Sequence, residues 1–267
     1  LFIYTFDMGI RGAAIATILS QTVALVWQTR LFSDKGELLH LKRGIYRLDN
    51  IIVKNILGIG ISPFAMNATA CLVAIFVNQR LLEYGGDLAV GAFGIANRVA
   101  FIFIMINFGV NQGMQPIAGY NYGAQNYDRL MRVLKLAMIA GTCITTSGFL
   151  VAEFIPHICV RLFTSDSELT ELSVNGLRIM MAAMPIVGYQ MIVTNFFQSI
   201  GKAKISIFLS LSRQLLFLVP LIGVLPLFFG VNGVWVAMPI SDSFSALFAL
   251  VMMVRYMRMF KKLQANG

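Results

Sequence analysis

The sequence predicts an all-α membrane protein, a polytopic bundle of seven transmembrane helices, and three observations predict it. The 267 residues are 58% hydrophobic and 12% charged with a mean hydropathy of +0.76, far from the balance of a water-soluble domain. Seven apolar runs are present, and each reaches the roughly 20 residues that a helix needs to cross about 30 Å of hydrocarbon. The runs are continuous, whereas transmembrane strands alternate in segments of about ten. A bilayer offers the backbone no water, so every amide must bond within its own segment, which a helix achieves.

The expected spans are 9–31, 55–79, 88–112, 130–155, 174–198, 206–229 and 232–256. The first opens with Gly9-Ile-Arg-Gly12-Ala-Ala-Ile-Ala16 and the last with Gly230-Val-Asn-Gly233-Val-Trp-Val-Ala237, a repeat at an offset of 221. Small residues at a helix start let helices approach, so the likeness has a packing reading beside a genealogical one. Both copies run in the same direction, which suits a parallel repeat about an axis along the membrane normal. On that reading 1–31 is the last helix of a first lobe, 32–50 is a cytoplasmic linker, 51–260 is a complete second lobe of six helices, and 261–267 is a tail. The linker is the longest polar stretch, and its His40 reads as a solvated or headgroup-level residue. The chain starts without an initiator methionine or a signal peptide and is read as a fragment lacking upstream helices.

The third span runs into Gln112–Leu130, rich in glycine, amide and tyrosine. Pro116 cannot donate a backbone hydrogen bond and biases Gln115 away from helix, so the span is expected to kink or stop there. Gly119 and Gly123 would supply turn geometry, and Asn126 would cap the fourth span. Ser167 is expected to cap the fifth, which carries Met180, Met181, Met184 and Met191 around Pro185 and Gly188, where a local kink is expected. The sixth span holds Arg213 and Pro220.

The net charge of +9 is topological rather than a nucleic-acid footprint. With the first span running outside to inside, fifteen basic residues fall on one side and only Arg11, Arg80 and Arg161 on the other, which makes the C-terminus cytoplasmic. Cys71, Cys143 and Cys159 lie in or beside apolar spans without a CxxC pattern and are expected as small core residues.

Several motifs together resemble the multidrug and toxic compound extrusion family. They are Gly113-Met-Gln-Pro-Ile-Ala-Gly-Tyr-Asn-Tyr-Gly-Ala124 followed by Asn126, Tyr127 and Arg129, then Gly91-Ala-Phe-Gly-Ile-Ala-Asn97-Arg98, Phe196-Phe-Gln-Ser-Ile-Gly201-Lys-Ala203, Ser212-Arg-Gln-Leu-Leu216 with Pro220, and Gly230-Val-Asn-Gly233-Val-Trp235. The resemblance covers nearly the whole chain and implies a twelve-helix, two-lobe transporter of the bacterial plasma membrane. Such a protein exports small amphipathic organic cations or drugs in exchange for Na+ or H+ by alternating access. No cofactor is implied, and Gln115, Pro116, Gly119 and Gly123 would form a hinge or closing end.

Polar side chains in hydrocarbon are costly and should face the bundle interior or a wet cavity. Asn67, Asn97, Asn107, Asn111, Gln112, Gln190, Asn195, Gln198, Arg213 and Gln214 are the candidates, with interhelical hydrogen bonding as the alternative use. Asn67 and Gln190 rank first for a substrate cavity, with Asn195, Met180, Met184 and Arg213 beside them, because thioethers repack around varied apolar cations. Core filling is the competing use of the methionines. Arg213 would snorkel to the cytoplasmic side or pair with an acid of the missing lobe. The departure from the family lies in ion coupling. Where some members carry acids in the seventh and tenth helices, Asn67 and Tyr189 stand here, and Glu153 and Asp242 are read as interfacial or packing groups close to helix ends. The coupling acid is then expected in the missing first lobe. An enzyme is disfavoured: there is no HExxH, no GxSxG with a paired histidine and no mid-membrane carboxylate pair. The alternative is a lipid-linked oligosaccharide or polysaccharide flippase of the related superfamily, which resembles the same plan but has a more basic cavity.

Overall fold

A computed structural model describes residues 8–34, 36 and 48–265. His40, most of the linker and residues 266–267 lie outside the described residues. All regular structure among the described residues is helical: α1 (Gly9–Ser33), α2 (Asn50–Gly123), α3 (Tyr127–Phe154), α4 (Pro156–Arg161), α5 (Ser167–Met181), α6 (Met184–Ser199), α7 (Ala203–Leu211), a π-helical stretch (Ser212–Leu218), α8 (Val219–Phe229) and α9 (Val231–Ala265). The all-α expectation holds. The chain divides into two compact units, Leu1–Gly58 and Ile59–Gly267.

In the first unit, α1 keeps its hydroxyls satisfied by bonding them to its own carbonyls: Thr17 Oγ1 donates to Ala13 O at 3.0 Å and Thr22 Oγ1 to Ile18 O at 2.8 Å. This back-bonding lets a polar residue sit on an apolar helix without an unpaired group. Gly9, at the start of α1, has φ +51°, and Gly230, just before α9, has φ +56°. Both repeat copies therefore begin at a glycine of positive φ, which glycine adopts without strain.

Five helical stretches among the described residues are long and apolar enough to cross a membrane, and the α5–α6 pair, bent by 51°, makes a sixth. One of the five is Phe64–Gly123, 60 residues, and at 1.5 Å per residue it would measure about 90 Å, three times the hydrocarbon thickness. It is broken at Gly86, with φ 65° and ψ −166°, into a first and a second arm. Division there is the step between six spans and the expected seven. Beside the break, a Cβ on Gly85 would lie 2.6 Å from Val231 Cγ2, so bare glycine lets the start of α9 approach.

Several local expectations are corrected. Helix continues through Pro116 to Gly123, because one missing N–H removes a single bond while proline's φ remains helical. Gly119 and Gly123 are likewise helical, and the left-handed residue of the turn is Gln125, φ 56°. Gly119 serves packing instead: a Cβ there would stand 3.2 Å from Ser199 O of α6. The turn is held through the backbone, Asn126 N–H donating to Asn121 O at 2.8 Å, and the Asn121 side chain bonds back onto its own helix, Nδ2 donating to Ile117 O at 2.8 Å. Asn126 precedes α3 as expected but makes no side-chain cap bond. The cap of α5 is Asp166, not Ser167; its Oδ1 accepts from Leu169 N at 3.0 Å. Cys71 and Cys143 are exposed, since an apolar helix turns apolar side chains outward as readily as inward when its solvent is lipid.

The second unit has two hydrophobic cores. One gathers Val77, Leu81, Val99, Leu177, Met181, Val187, Ile222 and Trp235, and the other Leu130, Leu134, Ile192, Phe196, Phe197, Leu209, Met253 and Phe260. The second core is closed by an aromatic cluster in which Tyr127 stacks on Phe260 at 5.6 Å and Tyr256 meets Phe197 edge-on at 4.9 Å.

Candidate functional site

Several helices of the second unit pass from one core to the other, and in each the change falls on polar or small residues. The second arm of α2 goes from Ala100 through Asn107 and Asn111 to Met114, and α3 from Ala137 through Gly141 and Thr145 to Ala152. Along α6, Val187 is followed by Gln190 and then Ile192; along α9, Ala237 by Ser241, Asp242 and Ser245 and then Ala249. Between Leu209 and Leu218 lie Ser212, Arg213 and Gln214. The result is a polar layer sandwiched between two apolar ones.

The layer opens into two adjoining cavities. The first, about 280 Å³, is lined by Met180, Met184, Asn97, Arg213, Gln214 and Asp242 among apolar neighbours that include Val73, Phe93 and Met238. The second, about 310 Å³, is lined by Asn67, Gln190, Asn195, Gln198, Met191, Arg213 and Gln214. Ala70, Arg213 and Gln214 belong to both walls. All six residues expected to contact substrate therefore line one cavity or the other, with Arg213 between them. Gln115, Pro116, Gly119 and Gly123, expected to form a hinge or closing end, line neither.

The amides divide by use. Gln190 is 3% exposed and donates from Nε2 to Ser245 Oγ of α9, while its Oε1 has no partner. Asn107 donates to Met191 Sδ at 3.6 Å, joining α2 to α6. Asn111 and Asn195 instead bond carbonyls of their own helices, Asn107 O at 3.2 Å and Met191 O at 2.9 Å. Asn67 and Asn97 are exposed on this chain and face the cavities, whereas Gln112 is exposed without lining either. Interhelical bonding and cavity lining thus both occur, and Gln190 does both.

The expected kink in the fifth span is present. The helix breaks at Ala182–Ala183, with Pro185 placed in the first turn of α6 where its missing N–H costs nothing. The break sets Met180 and Met184 against the first cavity, while Met181 is buried in the core and Met184 packs into that core as well.

Two features were missed. The π-helical stretch at Ser212–Leu218 has Val219 N–H donating to Gln214 O, five residues back, just ahead of Pro220. Pro220 can offer no N–H and crowds the carbonyl four residues before it; one wider turn upstream relieves this and swings Arg213 and Gln214 into the cavities. Asp242 is the second correction. It is not near a helix end but eleven residues into α9, 8% exposed, with Oδ1 2.9 Å from Arg213 Nε. Arg213 therefore pairs within this unit. Glu153 does stand at a helix end, 3.9 Å from Arg178, whose Nη2 donates to Glu153 O at 3.1 Å. Outside the apolar spans, burial pushes the Cys159 thiol up, away from the thiolate a nucleophile requires.

A family model described as MatE matches residues 59–222. The multidrug export protein MepA of Staphylococcus aureus (strain N315) is 24% identical over 251 residues, 94% of this chain and 55% of that protein. MepA of Staphylococcus haemolyticus (strain JCSC1435) is 24% identical over 250 residues, with the same shares. The solved structure of the MATE multidrug transporter DinF-BH is 35% identical and superposes with a TM-score of 0.82, over 95% of this chain and 57% of that one. A crystal structure of MATE in complex with MaL6 superposes with a TM-score of 0.87 at 22% identity, over 98% and 59% of the two chains. The chain spans little more than half the length of the relatives it matches.

Proposed function

The chain belongs to the MatE family, and on that premise we propose that it is the second six-helix lobe, with the last helix of the first, of a secondary active transporter. The transporter exports small amphipathic organic cations through a bacterial plasma membrane, in exchange for Na+ or H+, by alternating access. Residues 1–31 end the first lobe, 32–50 link the lobes, 51–260 form the second, and the C-terminus is cytoplasmic by the charge asymmetry.

The observation that carries the reading is the polar layer at mid-depth with its two cavities. Pumps and carriers place substrate sites near the bilayer midplane, and a bundle that only needed to fold would fill that level with apolar side chains. Asn67, Gln190, Asn195, Met180, Met184 and Arg213 form the lobe's share of the substrate wall. Thioethers and amides suit varied cations, the former by repacking and the latter by presenting carbonyl oxygens to positive charge. Three cations in the spans, Arg98, Arg178 and Arg213, fit a diphosphate headgroup poorly, and Arg213 already faces a carboxylate. The helical stretch carrying Gln115, Pro116, Gly119 and Gly123 is the hinge or closing end at the cytoplasmic side, where bare Gly119 lets α2 approach Ser199 of α6.

The test is accumulation of ethidium in a pump-deficient bacterial host. Cells expressing the full-length protein are expected to hold less dye than the empty host, and a collapse of the Na+ or H+ gradient is expected to abolish the difference. Unchanged accumulation across several cationic dyes would overturn drug export in favour of a flippase.

A further inference from the structure

The polar layer holds opposite charges at mid-depth, between two cavities. Asp242 lies eleven residues beyond Val231, about 16 Å at 1.5 Å per residue, which is half of a hydrocarbon layer of roughly 30 Å. Arg213 lies ten residues into the stretch Ala203–Phe229. Charges so deep are costly and mark function.

Their fit is incomplete. Arg213 Nε and Asp242 Oδ1 are 2.9 Å apart, yet both atoms are buried without an aligned hydrogen bond. A guanidinium that clamps a carboxylate for stability does so through two parallel N–H bonds, and buried carboxylate oxygens are ordinarily bonded. Here proximity of charge alone holds the pair. The Arg213 side chain is 35% exposed and lines both cavities, whereas Asp242 lines only the first. Met180, Met184 and Phe93 stand in that same cavity. Thioethers and an aromatic ring suit a diffuse organic cation, and they stand beside the side-chain oxygens of Asn97, Gln214, Ser241 and Asp242 in the same wall.

We infer that Asp242 is the carboxylate that receives the positive charge of an organic cation, and that Arg213 is a built-in stand-in cation which the arriving ligand displaces toward the second cavity. This rests on the transport reading and adds the group that recognises charge. The exchange needs no proton on Asp242: one cation replaces another beside the same carboxylate, and Arg213 keeps its charge while Asn195 and Gln198 offer amide oxygens in the second cavity. Return of Arg213 to Asp242 then expels the ligand, which makes the pair a reset as well as a lock.

Equilibrium binding to the purified full-length protein tests this, with ethidium and with the neutral phenanthridine that lacks ethidium's N-ethyl group and charge. Two near-isosteric variants are compared with the parent, and thermal unfolding of each checks that the lobe is folded. Asp242→Asn leaves an arginine that reaches the cavity, and the double variant R213Q/D242N leaves neutral residues of similar size. Asp242→Asn is expected to weaken ethidium roughly tenfold, and addition of Arg213→Gln to recover roughly tenfold, since an uncompensated charge in a low-dielectric cavity acts strongly on another. The neutral compound is expected to bind all three proteins alike. Equal ethidium affinity in the parent, Asp242→Asn and the double variant would overturn the inference, as would parallel loss of both compounds. A parent that binds neither and exports no dye would remove the transport reading and this inference together; a parent that exports ethidium with equal affinities across the variants removes the inference alone.

Discussion

The polar layer has two sides built on opposite principles. On one, α3 and α6 meet at glycines. A Cβ on Gly188 would overlap Thr145 Oγ1 and stand 2.5 Å from Gly141 O, and one on Gly141 would lie 2.7 Å from Asn107 Oδ1. Thr145 Oγ1 is turned back onto Gly141 O at 2.9 Å. No space is left there, and the polar groups serve helix contact, as small and hydroxylated residues do where lipid removes the hydrophobic drive between helices. On the other side, the first arm of α2, the π-helical stretch and the facing side of α6 line cavities of about 280 and 310 Å³, and α9 lines the first. Unpartnered oxygens occur on both sides, Asn107 Oδ1 at the seam and Gln190 Oε1, Gln214 Oε1 and Asp242 Oδ1 around the cavities, so the difference lies in the space beside them. The same residue types therefore build a rigid seam where glycine admits backbone contact and an adaptable wall where proline, π-helix and methionine prevent it.

The largest expected effect strikes the seam. Gly188→Val is expected to cost about 3 kcal/mol, since the new carbons meet backbone that cannot swing aside. Gly109→Val, a glycine with nothing within 4 Å of its Cβ position, serves as the matched control and is expected to change stability by less than about 0.5 kcal/mol. Thermal unfolding in detergent reads both. Equal losses would erase the distinction between seam and surface.

A middle effect separates stability from selectivity. Gln190→Leu removes the donor to Ser245 across the α6–α9 contact and is expected to cost about 1 kcal/mol. Asn67→Leu, on an exposed position of the cavity wall, is expected to cost less. Both are expected to change which dyes are exported, measured as resistance profiles across a dye panel. A profile identical to the parent's for both variants would mean that the second cavity does not meet substrate.

The smallest effect on selectivity calibrates the rest. Asp166→Ala removes the cap of α5, far along the chain from the layer, and is expected to cost about 1 kcal/mol with the dye profile unchanged. A changed profile would show that the apolar ends take part in selection.

Much of this was legible in the sequence, for reasons that differ by residue. The spans could be read because hydrocarbon demands helix wherever some twenty apolar residues run together. The kink near Pro185 and the membership of Asn67, Gln190, Met184 and Arg213 in cavity walls followed from the cost of prolines and polar groups in lipid. Pro116 misled because a proline can ride within a helix when the flanking turns are held, here by Asn121 and the glycine contact with Ser199. Cys71 misled because hydrophobicity does not separate inside from outside when both are apolar. The pairing of Arg213 with Asp242 joins positions 29 residues apart, 213 to 242, on separate helices, and depends on a π-helical turn that no periodicity announces. A signal was nonetheless present: an aspartate well inside an apolar run is costly enough to call for a partner.

The measurement that bears most directly on alternating access is the labelling of a single cysteine placed in the first cavity. In full-length protein with Met184→Cys and the cysteines at 71, 143 and 159 replaced, a membrane-impermeant maleimide would be applied to right-side-out and inverted vesicles, with and without a Na+ or H+ gradient. The account predicts labelling from both faces, with the ratio shifted by the gradient. Labelling from one face only, whatever the gradient, would contradict it.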